Sequence, residues 1–471
     1  MTPCRVVCLV LFTAVAARAD EAPAPPKAFD AKAIDEYLAK EVPVKGYVGL
    51  SVALVRDGKV LLAKGYGKAS LKTGAAVDEH TRFAAGSVTK QFTCACVLLL
   101  QEDGKLSVSD KVAKYYAGLT KADEITLLDL MNHTAGYPDY YPLDFVDRRM
   151  EKAIPLDDLL KEYAGGKLDF APKTRWSYSN TGYILLGRVI EKVSGKPFAE
   201  FLSERILKPV GMTNTVFEPK TDAPGLATGY TSFALGDPEP AAREADGWIH
   251  AAGGLYTTPS DLAKWDLALM TGKVLKTESL KQMTTPSLLA DGRTRDYACG
   301  LAVPVRNGEQ MFEHSGAVSG FLTFNGMIPR TRSAVILMTN GEHVDAGSLN
   351  RTLVALLLKA EAGDAPPVPK INGPAPKDVA LDLLHQLQAG EIKREALGEE
   401  YNHFLTPARV AGAKERLKAL GEPEKIEVEG TSERGGMEVA VIRFTFKTTK
   451  AKGLLYRTPD GKIQEFLLTK S

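Results

Sequence analysis

The chain is poor in the residues that mark specialised classes. It holds 5 cysteines, 3 tryptophans and 7 histidines in 471 residues. No CxxC pair and no His-Glu-x-x-His stretch occurs, so no metal site is signalled and no cofactor is expected. Charge of one sign is missing too: 59 Lys+Arg stand against 58 Asp+Glu. That balance lacks the field of a sequence-independent nucleic-acid binder, so no nucleic-acid partner is expected. Long-period repeats and low-complexity runs are absent as well. What remains is 44% apolar and 25% charged, the profile of a soluble globular protein with room for a large core.

The first residues alter these totals. Arg5 precedes an apolar run from Val6 to Ala17, and Ala17-Arg18-Ala19 is a small-x-small cleavage signal. The run is too short to span a bilayer comfortably. The expectation is a signal peptide over 1–19, a periplasmic or secreted location, and no stable membrane insertion after cleavage. Removing it takes away two arginines and no acid, turning the formal +1 into −1. Cys4 and Cys8 leave with it. Cys94 and Cys96 lie two apart in a predicted helix and point to different faces, so they do not bridge readily. With Cys299 they read as buried apolar thiols rather than a disulfide framework.

Residues 20–29 read as a Pro/Ala-rich disordered tether. A helix over 30–40 follows, then a hairpin turning at Asp57-Gly58. Ser87 to Leu100 is apolar on nearly all sides, as a core helix is. Helices are also expected at Leu127–Met131, at Tyr183–Val193 and after a capping Ser260. Strands return at Gln310–Glu313, Gly320–Ile328 and Ala334–Asn340, before a helix at Leu349–Lys359. Strands at both ends with helices between predict an α+β domain over 30–362: one antiparallel sheet flanked by helices, with a helical insertion. Five prolines make 363–376 a linker. Residues 377–471 read as a small α+β domain with helices near Val379–Leu387 and Pro407–Leu420 and four strands beginning at Ile426.

Three short segments carry chemistry. Ser87-Val88-Thr89-Lys90 puts a hydroxyl and an amine about one helical turn apart. Serine attacks only when a base takes its proton, and a desolvated lysine can serve. Free N–H groups at a helix start, Ser87's among them, can hold an oxyanion. Tyr178-Ser179-Asn180, in a loop before a helix, offers a phenol that can relay a proton and an amide that can accept from Lys90. His314-Ser315-Gly316-Ala317, on a strand candidate, offers a close backbone approach at Gly316 and a second oxyanion donor at Ala317. Each segment alone also has a plain structural use: a capping serine, a core tyrosine beside an N-cap asparagine, a strand-end turn.

In order, Ser-x-x-Lys, Tyr-x-Asn and His-x-Gly resemble the active-site serine hydrolases of the β-lactamase and penicillin-binding protein superfamily. Within it the chain looks most like the class C β-lactamase-related group, which includes esterases and D-amino-acid peptidases. Leu130 to Gly136, and Ala252-Gly253-Gly254-Leu255 followed by Ser260-Asp261-Leu262, are similar to further family segments. The resemblance covers roughly 30–360. It implies a β-lactamase/transpeptidase-like fold and an acyl-enzyme formed on ester, amide or peptide bonds of a small-molecule or peptide substrate. It implies Ser87 as nucleophile, Lys90 and Tyr178 sharing acid/base work, Asn180 orienting substrate and Lys90, and Ser87 and Ala317 amides as oxyanion hole. His314, Ser315 and Gly316 would line the cleft.

His314 departs from the family's Lys-Thr-Gly, and a histidine is only fractionally charged near neutral pH. This leans away from β-lactam hydrolysis and toward ester or peptide substrates. Lys72-Thr73-Gly74 comes before Ser87 and reads as a surface turn, and His133 reads as structural. The alternatives are a β-lactamase or DD-carboxypeptidase, or a non-catalytic cell-envelope binding protein of the same fold. No Gly-x-Ser-x-Gly elbow supports an α/β-hydrolase.

Overall fold

A computed structural model describes residues 23–143, 146–221, 223–232, 236–361 and 368–470. The expected signal segment and the first part of the expected linker lie outside them. The chain divides into two compact units at Glu361/Ala362.

The first unit is organised by one sheet. Helix α1 (Ala31–Val44), capped by Asp30, leads into β1 (Gly49–Arg56) and β2 (Lys59–Gly67), joined at the Asp57-Gly58 turn. Helix α2 (Thr89–Glu102), α3 (Leu127–Met131), α4 (Asn180–Ser194), α5 (His250–Gly253) and α6 (Pro259–Met270) follow. The chain then returns as β3 (Phe312–Val318), β4 (Phe321–Ile328) and β5 (Ser333–Thr339). The sheet order is β3-β4-β5-β1-β2, antiparallel throughout. Leu50 pairs with Thr339 and Leu54 with Val335, so the two chain ends of the unit meet at its centre.

Strand periodicity sorts the core. Leu50, Val52, Leu54, Val335 and Leu337 face one way, against α1 and α7 (Ala346–Glu361). Ala53, Val55, Ala334, Ile336 and Met338 face the other way, against the helices that include α2 and α4. Both faces are covered, so β5 reads as an unbroken apolar run. Each fully buried Leu or Ile contributes about 1.5–3 kcal/mol. Residues 23–29 hold no helix or strand, yet Lys27 O accepts from Lys359 Nζ and the Phe29 ring lies beneath Arg56.

Three local expectations are corrected. The cap of α6 is Thr258, whose side chain accepts from Asp261 N, and not Ser260; Pro259 occupies the first helical position, where its missing N–H costs nothing. The strand expected over Gln310–Glu313 starts instead at Phe312 and runs through the strand candidate His314–Ala317 to Val318, while Gln310 belongs to a separate short strand, Glu309–Gln310. Asn180 lies inside the helix rather than in the loop before it.

In the second unit, α8 (Pro376–Ala389) packs on a four-stranded antiparallel sheet and α9 (Pro407–Lys418) packs against α8. Its strands are β6 (Lys425–Arg434), β7 (Met437–Thr445), β8 (Lys450–Arg457) and β9 (Ile463–Lys470). Pro376, expected in the linker, instead opens α8. Leu383, Leu384, Ile442, Phe444, Leu455 and Phe466 form the core. Buried Arg457 donates to Glu438 Oε2 and to Pro374 O.

Candidate active site

Ser87 lies in a single 3₁₀ turn, Gly86–Val88, immediately before α2, rather than on the α-helix itself. Two glycines make this placement possible. Gly86 has φ +51°, and a Cβ there would sit 2.9 Å from Ala317 N. A Cβ on Gly316 would sit 2.0 Å from Ala85 O and 3.1 Å from Ser87 N. The turn and β3 therefore touch backbone to backbone, bringing the Ser87 and Ala317 amides onto adjoining segments beside the serine hydroxyl.

Lys90 reaches Ser87 Oγ from the first turn of α2, with Nζ 3.0 Å away. The side chain is 0% exposed. Nζ also donates to Asn180 Oδ1 at 2.7 Å and to Ala252 O of α5 at 2.7 Å. No carboxylate is among these partners. Burial disfavours the ammonium and brings its pKa down to about 7, against a smaller opposing pull from Asp139. The rings of Tyr178 and Tyr183 flank the amine. Tyr178 donates to Ser87 Oγ at 2.6 Å, and burial pushes its phenol well above the ordinary range.

Asn180 is held from behind. Its Nδ2 and backbone N both donate to Asp139 Oδ1 at 3.1 Å, which also accepts from Tyr141 N. That fixes the amide with its oxygen toward Lys90. His133, expected to be structural, is buried with φ +59°. Its ring lies 4.3 Å from that of Tyr178. Its Nδ1 accepts from Ser179 N.

His314 is corrected in charge. It was expected to be fractionally protonated near neutral pH; burial, with Lys90 nearby, lowers it to about 4 and leaves it neutral. Its Nε2 meets Tyr297 Oη at 2.9 Å and its Nδ1 meets Ser315 O at 2.5 Å. Asp139 and Tyr297 carried no recognisable spacing signal in the sequence; Ala252 lies in a segment with a family likeness but was given no role there.

A cleft of about 760 Å³ opens over Ser87, lined by Tyr178, Asn180, His314, Ser315 and Ala317 among others. Gly316 shapes it by close approach rather than by lining it. Lys72-Thr73-Gly74 lies in an exposed turn. Among the described residues, no cluster of three His, Cys, Asp or Glu is placed to hold a metal ion. No described helix is long and apolar enough to cross a membrane. Cys94, Cys96 and Cys299 are free and buried.

The model of the beta-lactamase family matches residues 31–359, and the chain belongs to that family. It is 30% identical to a D-aminopeptidase of Brucella anthropi over 322 residues, 67% of this chain and 60% of that protein. It is 29% identical to a penicillin-binding protein of Bacillus subtilis (strain 168) over 310 residues, 62% of this chain and 68% of that one. Among solved structures it resembles a D-amino acid amidase from Ochrobactrum anthropi SV3. That likeness has a TM-score of 0.61 and 23% identity, covering 71% of this chain and all of that one. A likeness to the octameric penicillin-binding protein homologue from Pyrococcus abyssi covers 93% of this chain and all of that one, at TM-score 0.62 and 20% identity. The fold is the α+β β-lactamase/transpeptidase type, and the chain is a serine hydrolase of this family.

Proposed function

We propose that Ser87 is the nucleophile of an acyl-enzyme hydrolase acting on ester, amide or peptide bonds. One observation carries this: Ser87 Oγ lies within hydrogen-bond distance of both Lys90 Nζ and Tyr178 Oη. A neutral amine has two N–H groups and one lone pair. Asn180 Oδ1 and Ala252 O occupy the two N–H groups, so the lone pair faces Ser87. Lys90 is thereby the base that takes the serine proton, at a pKa suited to neutral pH. Tyr178 begins protonated and is placed to deliver a proton to the leaving group, and the proton taken up by Lys90 then restores the phenol. The Ser87 and Ala317 amides stabilise the oxyanion. Water then attacks the acyl-serine and regenerates the hydroxyl.

Likeness to the D-aminopeptidase and the D-amino acid amidase favours amide and peptide substrates of D-amino acids. The proposal includes a periplasmic or secreted site of action, supported by the apolar run and cleavage signal in residues 1–19. Labelling with a fluorophosphonate or penicillin probe tests the chemistry. The expected result is one covalent adduct on Ser87, absent in Ser87→Ala. Equal labelling of the two proteins defeats the proposal. Unlabelled protein that still binds cell-wall fragments identifies a binding protein instead.

A further inference from the structure

Behind the cleft runs a chain of hydrogen bonds whose direction can be read atom by atom. Ser179 N–H donates to His133 Nδ1 at 3.1 Å. That nitrogen is therefore unprotonated, and in a neutral ring the proton sits on Nε2. His133 Nε2 lies 3.1 Å from Tyr297 Oη, so it donates there. At the other end, His314 Nδ1 faces the carbonyl of Ser315, which can only accept. His314 thus carries its proton on Nδ1 and accepts at Nε2 from Tyr297 Oη, 2.9 Å away. Tyr297 is the one member able to accept from one imidazole and donate to the other.

All three rings are buried; Tyr297 is 9% exposed. Desolvation and the nearby Lys90 keep both histidines neutral, with His133 well below its ordinary value. Other polar or aromatic groups facing them include Tyr178, Tyr183 and Trp176 around His133, and Asn325, opposite His314 across β3 and β4. Neither histidine has a hydrogen bond to Ser87 or Lys90 in this chain of contacts, so the relay is not the proton path of the reaction. Its two ends are the segment that carries Tyr178 and the strand that carries Ala317.

We propose that Tyr297 is a positioning residue of this site. It bridges His133 and His314, whose opposite tautomers are set by Ser179 N–H and Ser315 O, and thereby ties the Tyr178 segment to the strand supplying the Ala317 amide. The catalytic consequence rests on the acyl-enzyme reading above; the tautomers do not. Both nitrogens of His314 are engaged within the protein, so this side chain offers the substrate neither a charge nor a donor. Tyr297 is in this sense the residue that fixes how the third motif differs from one bearing lysine.

The test is Tyr297→Phe, which keeps the ring packed between His133 and Trp176 and removes only the hydroxyl. In the parent protein, ¹⁵N imidazole shifts should report a protonated Nε2 on His133 and a protonated Nδ1 on His314. In Tyr297→Phe the His314 Nε2 signal should move as it loses its donor. Turnover should fall roughly ten- to hundredfold in kcat with KM nearly unchanged, as displacement of positioned groups does. Thermal melting of the variant controls for loss of fold. Identical tautomers on the two histidines overturn the proposal, as does a variant with unaltered shifts and kcat. Opposite tautomers in a protein that does not label at Ser87 would retain the relay while removing the acyl-enzyme reading.

Discussion

Each unit buries a basic side chain, and the two are treated in opposite ways. In the second unit Arg457 is 2% exposed and faces a carboxylate, Glu438. Charge meets charge, and the pair is part of the scaffold. In the first unit Lys90 is equally buried but meets an amide oxygen, a carbonyl and a hydroxyl. The nearest acid in the network, Asp139, is one residue removed, with Asn180 between. Lacking a counter-ion, the amine responds to burial by approaching neutrality, and an otherwise structural cation becomes a base. The same interior neutralises Asp266, pushed up to about 8 by burial, with Asn325 donating to it. Reactivity here follows from withholding the partner that stability would favour.

The contrast can be broken in graded steps. Removing the nucleophile should have the largest effect: Ser87→Ala should lower kcat/KM by roughly a thousandfold or more while the melting temperature holds. Lys90→Arg keeps a cation but removes any accessible base, and should cost roughly 10²–10⁴-fold in the acylation rate measured by stopped flow. If the arginine variant acylates normally, the base is elsewhere. Arg457→Met should instead leave Ser87 labelling intact and destabilise the second unit by about 3–5 kcal/mol in denaturant unfolding, since Glu438 is left buried and unpaired.

The pH profile sharpens the same comparison. Lys90 works unprotonated, and its folded pKa is depressed, so kcat/KM should rise with pH up to about 7 and then level off. Below that point the loss should be about tenfold per pH unit. A profile flat from pH 5 to 8 would contradict the assignment. The smallest effect concerns the scaffold alone: Thr258→Ala should cost about 1 kcal/mol through the lost helix cap, with kcat unchanged.

Much of the site was legible because its signals are local. Ser87 and Lys90 are a helical spacing, and Tyr178 and Asn180 are neighbours in sequence. The central sheet was legible from alternation and from the Asp57-Gly58 turn. What escaped detection depends on tertiary contact. Asp139 reaches Asn180 across 41 residues, and the segment of Ala252 was recognisable but its role was not, since it meets Lys90 through a backbone carbonyl that any residue would provide. The charge of His314 was misjudged because residue type is visible in a sequence and burial is not. In the second unit β6 extends to Arg434, and its end was not legible because its exposed polar half shows no alternation. The short helix Glu399–Phe404 was missed for the same lack of an apolar stripe.

The pairing of Leu50 with Thr339 also sets a timetable. During synthesis at about 5–20 residues per second, roughly 15 to 60 s separate the emergence of these two partners. Through that interval the N-terminal hairpin has one open edge where β5 belongs. The turn holding Ser87 likewise waits for the strand bearing Gly316. A nascent chain released early would expose a pairing edge and no working nucleophile, so chaperone engagement should matter most before Thr339 leaves the ribosome.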